Sequence, residues 1–408
     1  MRLLHVVPTY VPAWRHGGSV AAVHGLCKSL VARGHEVTVF TTDVHGAAAL
    51  DVPRATPVSL DGVTVWYFPV ASPRRLYRSP ALGAALALHL REAGRCDLAH
   101  LHSVFLWPTA AAARTAERTG IPYLLTPHGA LVGELLRRRG RLRKRLWIRL
   151  VERRTLANAA ALHVTSQLEA DEAMDLGLPL PPVYVVPFGI EAERWDPARE
   201  AELAPAVRTA LARRPLLLFL GRLSWKKGLD RLLAALAQVP SATLAVAGND
   251  EEGYRPRLDR LAAEAGVTGR VVFLGPVHGA DKAGLLQSAD ALVLPSYSEN
   301  FAIVVLEAMA AGLPVVVTPE VGLARVVSEH GAGVVADGDP SRLAAALRGL
   351  LADPDARRAM AQRGVEAARR FGWETVAARM EEVYGEVLAR QRSRPGAGLA
   401  KTAGVAAS

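Results

Sequence analysis

Arg222 and Lys227 stand together in GRLSWKKG, between an apolar run, Leu216–Leu220, and a helical pattern from about Leu229. A guanidinium offers a planar fork to phosphate oxygens, and an ammonium places a compact charge beside it. Two cations on one strand-to-helix loop suit a diphosphate. The other reading is a solvated basic loop opening a helix, and it is the one kept for Lys226. Further on, in PSYSENFAIVVLEAMAAGLPVV, Glu299 falls in a loop and Glu307 about one turn into the next helix. Their spacing does not put them on one helix face, yet loop and helix can turn both into one crevice. There a carboxylate accepts from the vicinal hydroxyls of a sugar. Glu307 lies among Val305, Leu306, Ala308 and Met309, where an unpaired carboxylate is costly. Spacing alone leaves open a helix-capping acid followed by an exposed helical Glu.

His128, in TPHGA, follows the apolar run Pro122–Thr126. A histidine at a strand end can donate to a ligand oxygen or carry a proton. A lone loop histidine also serves structure, and that reading is kept for His102 after Asp97–Leu101. Near the N-terminus, Gly17-Gly18 precede a helix from about Ser19. Open amides at a helix start can hold an anion with help from the helix dipole. A tight turn is the alternative. The pattern is not GxGxxG, so the dinucleotide fingerprint is missing.

The elements that must position these residues alternate. Leu3–Val7, Glu36–Phe40, Val63–Phe68, Asp97–Leu101, Pro122–Thr126 and Ala161–Thr165 read as buried strands with helical patterns between most of them. Pro215–Leu220, Thr243–Ala247, Val271–Leu274, Ala291–Leu294 and Pro314–Val317 form a second set. Such alternation predicts parallel βαβ units, hence two consecutive Rossmann-like sheets. The weakly patterned stretch from Leu178 to Pro205 separates them, with the break near Phe188-Gly189. In such folds ligands bind where strands run into loops, which is where every candidate above falls.

Composition narrows the classes. The chain has 408 residues, 50% hydrophobic and 22% charged, the size of two or three domains and too apolar for wholesale disorder. The longest stretch without Asp, Glu, Lys or Arg, Leu98 to Ala113, contains His100, His102 and Pro108 and is too short to span a bilayer. The first residues do not read as a signal peptide, because Pro8 and Pro12 break the apolar run. Cys27 and Cys96 are too few for a disulfide framework and lack metal-ligand spacing. A soluble, cytoplasmic chain is expected.

Taken together, Gly17-Gly18, TPHGAL, GRLSWKKG, AGND and the Glu-x7-Glu segment, in this order and spacing, resemble the family-4 retaining glycosyltransferases. The likeness runs from Met1 to about Tyr384. It implies an α/β fold of GT-B architecture, two facing Rossmann-like domains with parallel sheets. Residues 1–188 would form the acceptor-side domain and 189–372 the nucleotide-sugar domain. A helix at 373–390 would cross back to the first domain, and 391–408 would be a flexible tail. By the same resemblance Arg222 and Lys227 hold the nucleotide diphosphate, Glu307 the ribose hydroxyls, and Glu299 lies by the transferred sugar. The backbone of Asn300-Phe301-Ala302 contacts that sugar, and His128 lies beside sugar and phosphate. The base would be held by backbone near Phe273-Leu274-Gly275. No metal and no cofactor is implied, the nucleotide sugar being the substrate. Two positions depart from the family: Ala302, commonly Gly, puts a methyl group beside the sugar contact. Asn300, also commonly Gly, is similar to a subset acting on bacterial surface polysaccharides.

The expected reaction moves a hexose-like unit from a UDP- or GDP-sugar to a hydroxyl of an acceptor glycan or lipid-linked saccharide, with retention. Closure near Phe188-Gly189 would exclude water. The net charge of +10 is local, since Arg137 to Arg154 reads RRRGRLRKRLWIRLVERR with one acid, Glu152. As a helix it sets Leu142, Leu146 and Leu150 on one stripe with Trp147 beside it, while Arg141, Lys144 and Arg145 face away. That pattern suits an anionic bilayer, on the inner face of the cell membrane, where a lipid-linked acceptor would lie. A core-packed helix with a solvated basic face is the alternative. The rival activities are a nucleotide-sugar epimerase of the same architecture and a phosphorylase-like enzyme, for whose pyridoxal phosphate no lysine context is visible. A nucleic-acid partner for 137–154 is not expected, because Trp147 is the sole aromatic among the cations.

Overall fold

The computed structural model describes residues 1–14, 17–46, 48–72, 74–133, 141–191, 202–250 and 252–393. Expectations for 137–140 of the basic stretch, for 192–201 of the interdomain stretch and for the tail from 394 lie outside the described residues. The chain divides into two compact units, Met1–Pro187 joined by the segment from Trp373, and Phe188–Gly372.

The first unit is built on β1 (Arg2–Val7), β2 (Glu36–Thr42), a short hairpin of β3 (Val44–His45) and β4 (Ala48–Ala49), β5 (Pro57–Leu60), β6 (Val63–Phe68), β7 (Leu98–His102), β8 (Tyr123–Thr126), β9 (Ala161–Val164) and β10 (Val183–Val185). Its main sheet has the order β10-β9-β8-β7-β1-β2-β6-β5. All neighbours are parallel except β5 with β6. Both faces are covered, which is why the strands read as unbroken apolar runs. One face carries the first helix (Gly18–Ala32) and the C-terminal helix (Trp373–Arg392), around Leu3, Val7, Leu30, Met380 and Val387. Gly25 lets these two helices meet, since a Cβ there would lie 2.4 Å from the Trp373 ring. The other face packs Leu86, Leu90 and Ala113, from helices Pro80–Arg91 and Trp107–Thr119, against Leu4, Val6 and Leu101.

The second unit has six parallel strands, β11 (Leu216–Leu220), β12 (Thr243–Ala247), β13 (Val271–Gly275), β14 (Ala291–Leu294), β15 (Val315–Val317) and β16 (Gly333–Val335), in the order β13-β12-β11-β14-β15-β16. In each unit the chain winds outward from its first strand and then crosses to that strand's other side. The order reverses at β1/β7 and at β11/β14. Those two switch points are where an open parallel sheet leaves a crevice for a ligand. Among the described residues no helix is long and apolar enough to cross a membrane.

Candidate active site

The switch point of the second unit holds most of the candidate residues. The loop after β11 is stitched to its neighbours by Gly221 N–H to Ala247 O, 2.9 Å, and Leu223 N–H to Asn249 O, 2.8 Å. Gly248 makes this possible, because a Cβ there would stand 1.8 Å from the Gly221 carbonyl oxygen. The loop after β14 joins from the other side, Tyr297 N–H donating to Lys226 O at 2.7 Å. Across this seam Lys227 forms an ion pair with Glu299, each side chain mostly buried. Arg222 is exposed and has no hydrogen-bond or ion-pair partner among the described residues. Lys226 corrects the expectation of a solvated side chain. The seam half-buries it, and burial lowers its ammonium below the usual range, opposed by Glu299 and reinforced by Arg222 and Lys227. Three cations from the loop after β11 thus crowd one carboxylate from the loop after β14, with the Arg222 guanidinium left over for an anion.

Gly228 ends the loop with φ 66°. A Cβ there would lie 1.9 Å from the Pro295 carbonyl oxygen, which is backbone and cannot swing away. Gly228→Ala is therefore expected to cost on the order of 3 kcal/mol or more, read as a lowered urea midpoint. An unchanged midpoint would mean the two loops are not held together as described.

Glu299 is pinned by backbone, its N–H on Glu320 O at 3.0 Å and its carbonyl accepting from Gly322 at 2.8 Å. Phe301 buries its ring edge-on to Phe188, and Ala302 beside it is buried as well. Ala302 caps the helix Ile303–Ala310 with φ 73°. The left-handed backbone gives a physical reason for glycine at this position, since a Cβ there costs roughly 1–2 kcal/mol. Glu307 is partly exposed and pairs with Lys282 at 2.6 Å, beside a small pocket floored by Ala310 and Ala311. So the two carboxylates take different lysines. Phe273 lies on β13, the sheet's outer strand, with the Arg255 guanidinium stacked 3.6 Å from its ring centre.

In the first unit, Gly17 (φ 88°) caps the first helix and Gly18 begins it, at the carboxyl end of β1. His128, just beyond β8, also has a left-handed backbone, φ 52°, which is strained for a residue with a Cβ. The next amide, Gly129 N–H, donates to the buried Glu169 carboxylate at 2.5 Å, and Thr165 N–H and Oγ1–H each reach the same group at 2.8 Å. Behind His128 stand more histidines. His128 Nε2 lies 3.1 Å from His102 Nδ1, and His102 Nε2 lies 3.0 Å from His5 Nδ1. Beside them a second line runs from Tyr384 Oη to His100 Nδ1 (2.7 Å), His100 Nε2 to Thr126 Oγ1 (2.7 Å), Thr126 to His163 Nδ1 (2.8 Å) and His163 Nε2 to Val186 O (2.8 Å). A carbonyl only accepts, so every proton of this second line is assigned: each group donates toward Val186. Burial pushes His5 and His128 down to about 3 and His163 to about 4, and holds His100 and His102 well below the ordinary value. All stay neutral near pH 7.

His5, His100 and His102 bring ligand atoms within 4.8 Å of one another, yet they do not fit a metal ion. The His100 and His102 rings are stacked at 4.3 Å, and those of His5 and His102 at 5.3 Å, so in-plane lone pairs do not converge. Five of the six nitrogens are already hydrogen-bonded. Sequence reasoning missed Lys282, Glu169 and His5, and gave His102 only a structural part. A lone Lys or Glu on a helix carries no signal. For the histidines there was one: His100-x-His102 on a strand shares a face, and His5 and His163 also sit inside apolar runs.

Two doubly wound parallel sheets, each with its polar residues at the switch point, with the final helix packed on the first, are the architecture of GT-B glycosyltransferases. Residues 17–189 match a Glycosyl transferase 4-like domain, and residues 204–367 match Glycosyl transferases group 1. The D-inositol 3-phosphate glycosyltransferase of Xylanimonas cellulosilytica is 32% identical over 93% of this chain and 94% of its own length. The glycogen synthase of Mycobacterium tuberculosis is 32% identical over 94% of each chain. Among solved structures, sucrose-phosphate synthase from Thermosynechococcus elongatus superposes with a TM-score of 0.75 at 23% identity, over 96% of this chain and all of the other. Anabaena HepE, solved with UDP and glucose, gives 0.74 at 20% identity, over 95% of this chain and all of the other. The chain belongs to the family-4 glycosyltransferases and is a glycosyltransferase.

Proposed function

We propose that this enzyme moves a hexose-like unit from a UDP- or GDP-sugar to an acceptor hydroxyl, retaining configuration and needing no divalent metal. The observation that carries the reading is the cation loop at the β11/β14 switch point, where Arg222 has no partner among the described residues and Lys227 meets Glu299. As the bond from the anomeric carbon to the diphosphate breaks, its electron pair leaves on phosphate oxygen. Arg222 and Lys227 stabilise that charge, and their fixed positive charge stands in for a metal. Glu299 is assigned the transferred sugar with the Asn300-Phe301-Ala302 backbone, Glu307 the ribose, and the backbone near Phe273 the base. His128 is assigned an oxygen of the sugar or phosphate, and Gly17-Gly18 the phosphate. A UDP complex of a structural relative supports the nucleotide-sugar donor, and the glycosyltransferase and glycogen synthase names of the sequence relatives support transfer over epimerisation. A thermal-shift panel of UDP, GDP, ADP and CMP tests it. One diphosphate at about a hundred times its dissociation constant adds roughly 2.7 kcal/mol to wild type, and the Arg222→Ala variant loses that shift. Equal shifts in both proteins would sink the assignment.

The acceptor is assigned to a glycan or lipid-linked saccharide at an anionic membrane surface. Leu142, Leu146 and Leu150 are 80%, 58% and 65% exposed, so the stripe is not core-packed. Arg143, Arg145 and Arg149 are exposed around them, while Trp147 turns inward to the buried Glu152, Nε1 to Oε1 2.7 Å. Three exposed leucines ringed by arginines suit an anionic interface. Sedimentation with phosphatidylglycerol vesicles is expected to exceed that with phosphatidylcholine alone, and Leu142→Ser, Leu146→Ser, Leu150→Ser to abolish the difference. Equal sedimentation with both lipids would end this part of the reading.

A further inference from the structure

We infer that Glu152 is a positioning residue that ties the turn after β7 to the leucine-bearing helix, so that seating the leucines in a bilayer fixes that turn beside the first unit's switch point. The inference rests on the membrane reading above and adds the route from that surface to the site. Glu152 is 2% exposed, and its Oε1 collects two donors from two elements. Phe105 N–H reaches it at 2.7 Å from the turn, and Trp147 Nε1–H at 2.7 Å from the helix.

The turn, residues 103–106, directly follows β7, a strand that borders the switch point. Ser103 N–H donates to Thr126 O at 2.8 Å, and Thr109 Oγ1–H to His102 O at 2.9 Å. The turn thus starts between the ends of β7 and β8, one residue beyond the His102 ring that meets His128. Ser103 and Phe105 both have left-handed backbones, φ 70° and 65°, strained for residues with a Cβ. Strain of this kind persists only where the surroundings hold it, and the amide of Phe105 is held by Glu152.

On the other side, the helix Arg141–Trp147 runs into one π-helical turn, Ile148–Glu152, and on into Arg153–Asn158. Residues five apart point to different faces of an α-helix, and the wider π turn brings Trp147 round to Glu152. Leu146 and Leu150 stay outside. The far end is pinned to the body, Tyr123 Oη–H donating to Thr155 O at 2.7 Å and Arg154 pairing with Glu117 at 2.8 Å. Glu152 Oε2 is buried without a hydrogen-bond partner among the described residues. Burial also raises this carboxyl above its usual range, opposed by its two hydrogen bonds. An apolar side chain would fill the space without an orphaned oxygen. It could not hold an indole N–H and a strained backbone N–H on one atom.

The test is hydrogen exchange read by mass spectrometry on the full chain, with vesicles of phosphatidylglycerol and phosphatidylcholine or of phosphatidylcholine alone. In wild type the anionic vesicles are expected to slow exchange over residues 141–151 and, with it, over residues 103–106. The second effect is about three- to tenfold, the net worth of one hydrogen bond. Glu152→Leu is expected to keep the slowing over 141–151 and lose it over 103–106. Glu152→Gln, which retains the Oε1 acceptor, keeps both, and Leu142→Ser, Leu146→Ser, Leu150→Ser together lose both. Slowing over 141–151 in wild type with unchanged or faster exchange over 103–106 overturns the inference and leaves the membrane reading standing. That comparison needs no variant to fold. Slowing over 103–106 that survives in Glu152→Leu overturns it equally. No slowing over either segment in wild type would end the membrane reading and the inference together.

Discussion

Arg222→Ala is expected to lower kcat on the order of a hundredfold or more while leaving the thermal midpoint unmoved. The two halves of that expectation come from one fact: the guanidinium is exposed and bonded to nothing among the described residues. Its removal therefore breaks no contact of the resting fold, and surface changes of that kind stay within about 0.5 kcal/mol. What it removes is a cationic partner for charge that grows as the diphosphate departs, worth roughly 3–4 kcal/mol in the transition state. Lys227→Ala is a different experiment. It strips the mostly buried Glu299 of its ion pair, so folding and turnover fall together. Adding Glu299→Gln removes the stranded charge and is expected to return stability without returning activity. If Arg222→Ala keeps wild-type turnover, the cation loop does not hold the leaving group.

Much of this site was legible because parallel strands buried on both faces must be continuous apolar runs, and whatever polar residue follows one is at a strand end. That logic finds the loop after Leu220 and the turn containing Glu299 without any knowledge of strand order. It also locates most strands of both sheets, to within a residue or two. Elements that are short or lie at an edge escape it. β16 is three residues, and β5 is an edge strand made by a two-residue turn at Asp61-Gly62, φ 49° and 79°. The Asp-Gly pair was a readable hairpin signal, flanked by apolar residues. The break read near Phe188-Gly189 stands beside a division of the compact units after Pro187. Side-chain partnerships lay further out of reach. Lys282 meets Glu307 from 25 residues away, and His102 meets His5 from 97. The second pair exists only once the strand order brings β1 beside β7, and periodicity carries no strand order.

The same histidines make the fold sensitive to mild acid. His5, His100, His102 and His163 are at most 2% exposed, and burial holds each below the ordinary histidine value, His5 at about 3 and His163 at about 4. An unfolded histidine takes its proton near 6.5, so below that pH the unfolded chain binds protons that the folded chain refuses. Stability from this source is complete above about 6.5 and is lost as pH falls from there toward the folded values. Each histidine contributes a slope of about 1.4 kcal/mol per pH unit, so four together approach about 5 kcal/mol per unit, against a total stability of roughly 5–15 kcal/mol. The carboxylates that are held low do not share the window, and Glu152, raised by burial, gains stability as pH falls and opposes the histidine slope. Asp97, held low mainly by its Arg2 hydrogen bond, and Glu381, held low mainly by Arg33, give up their contribution only at more acid pH. Urea midpoints are thus expected to be flat above about pH 7 and to collapse between about pH 6 and 5, with an unchanged m-value. A midpoint constant down to about pH 5 would mean that the buried rings accept protons, and hydrogen bonds between neutral rings would no longer describe the interior of the first unit.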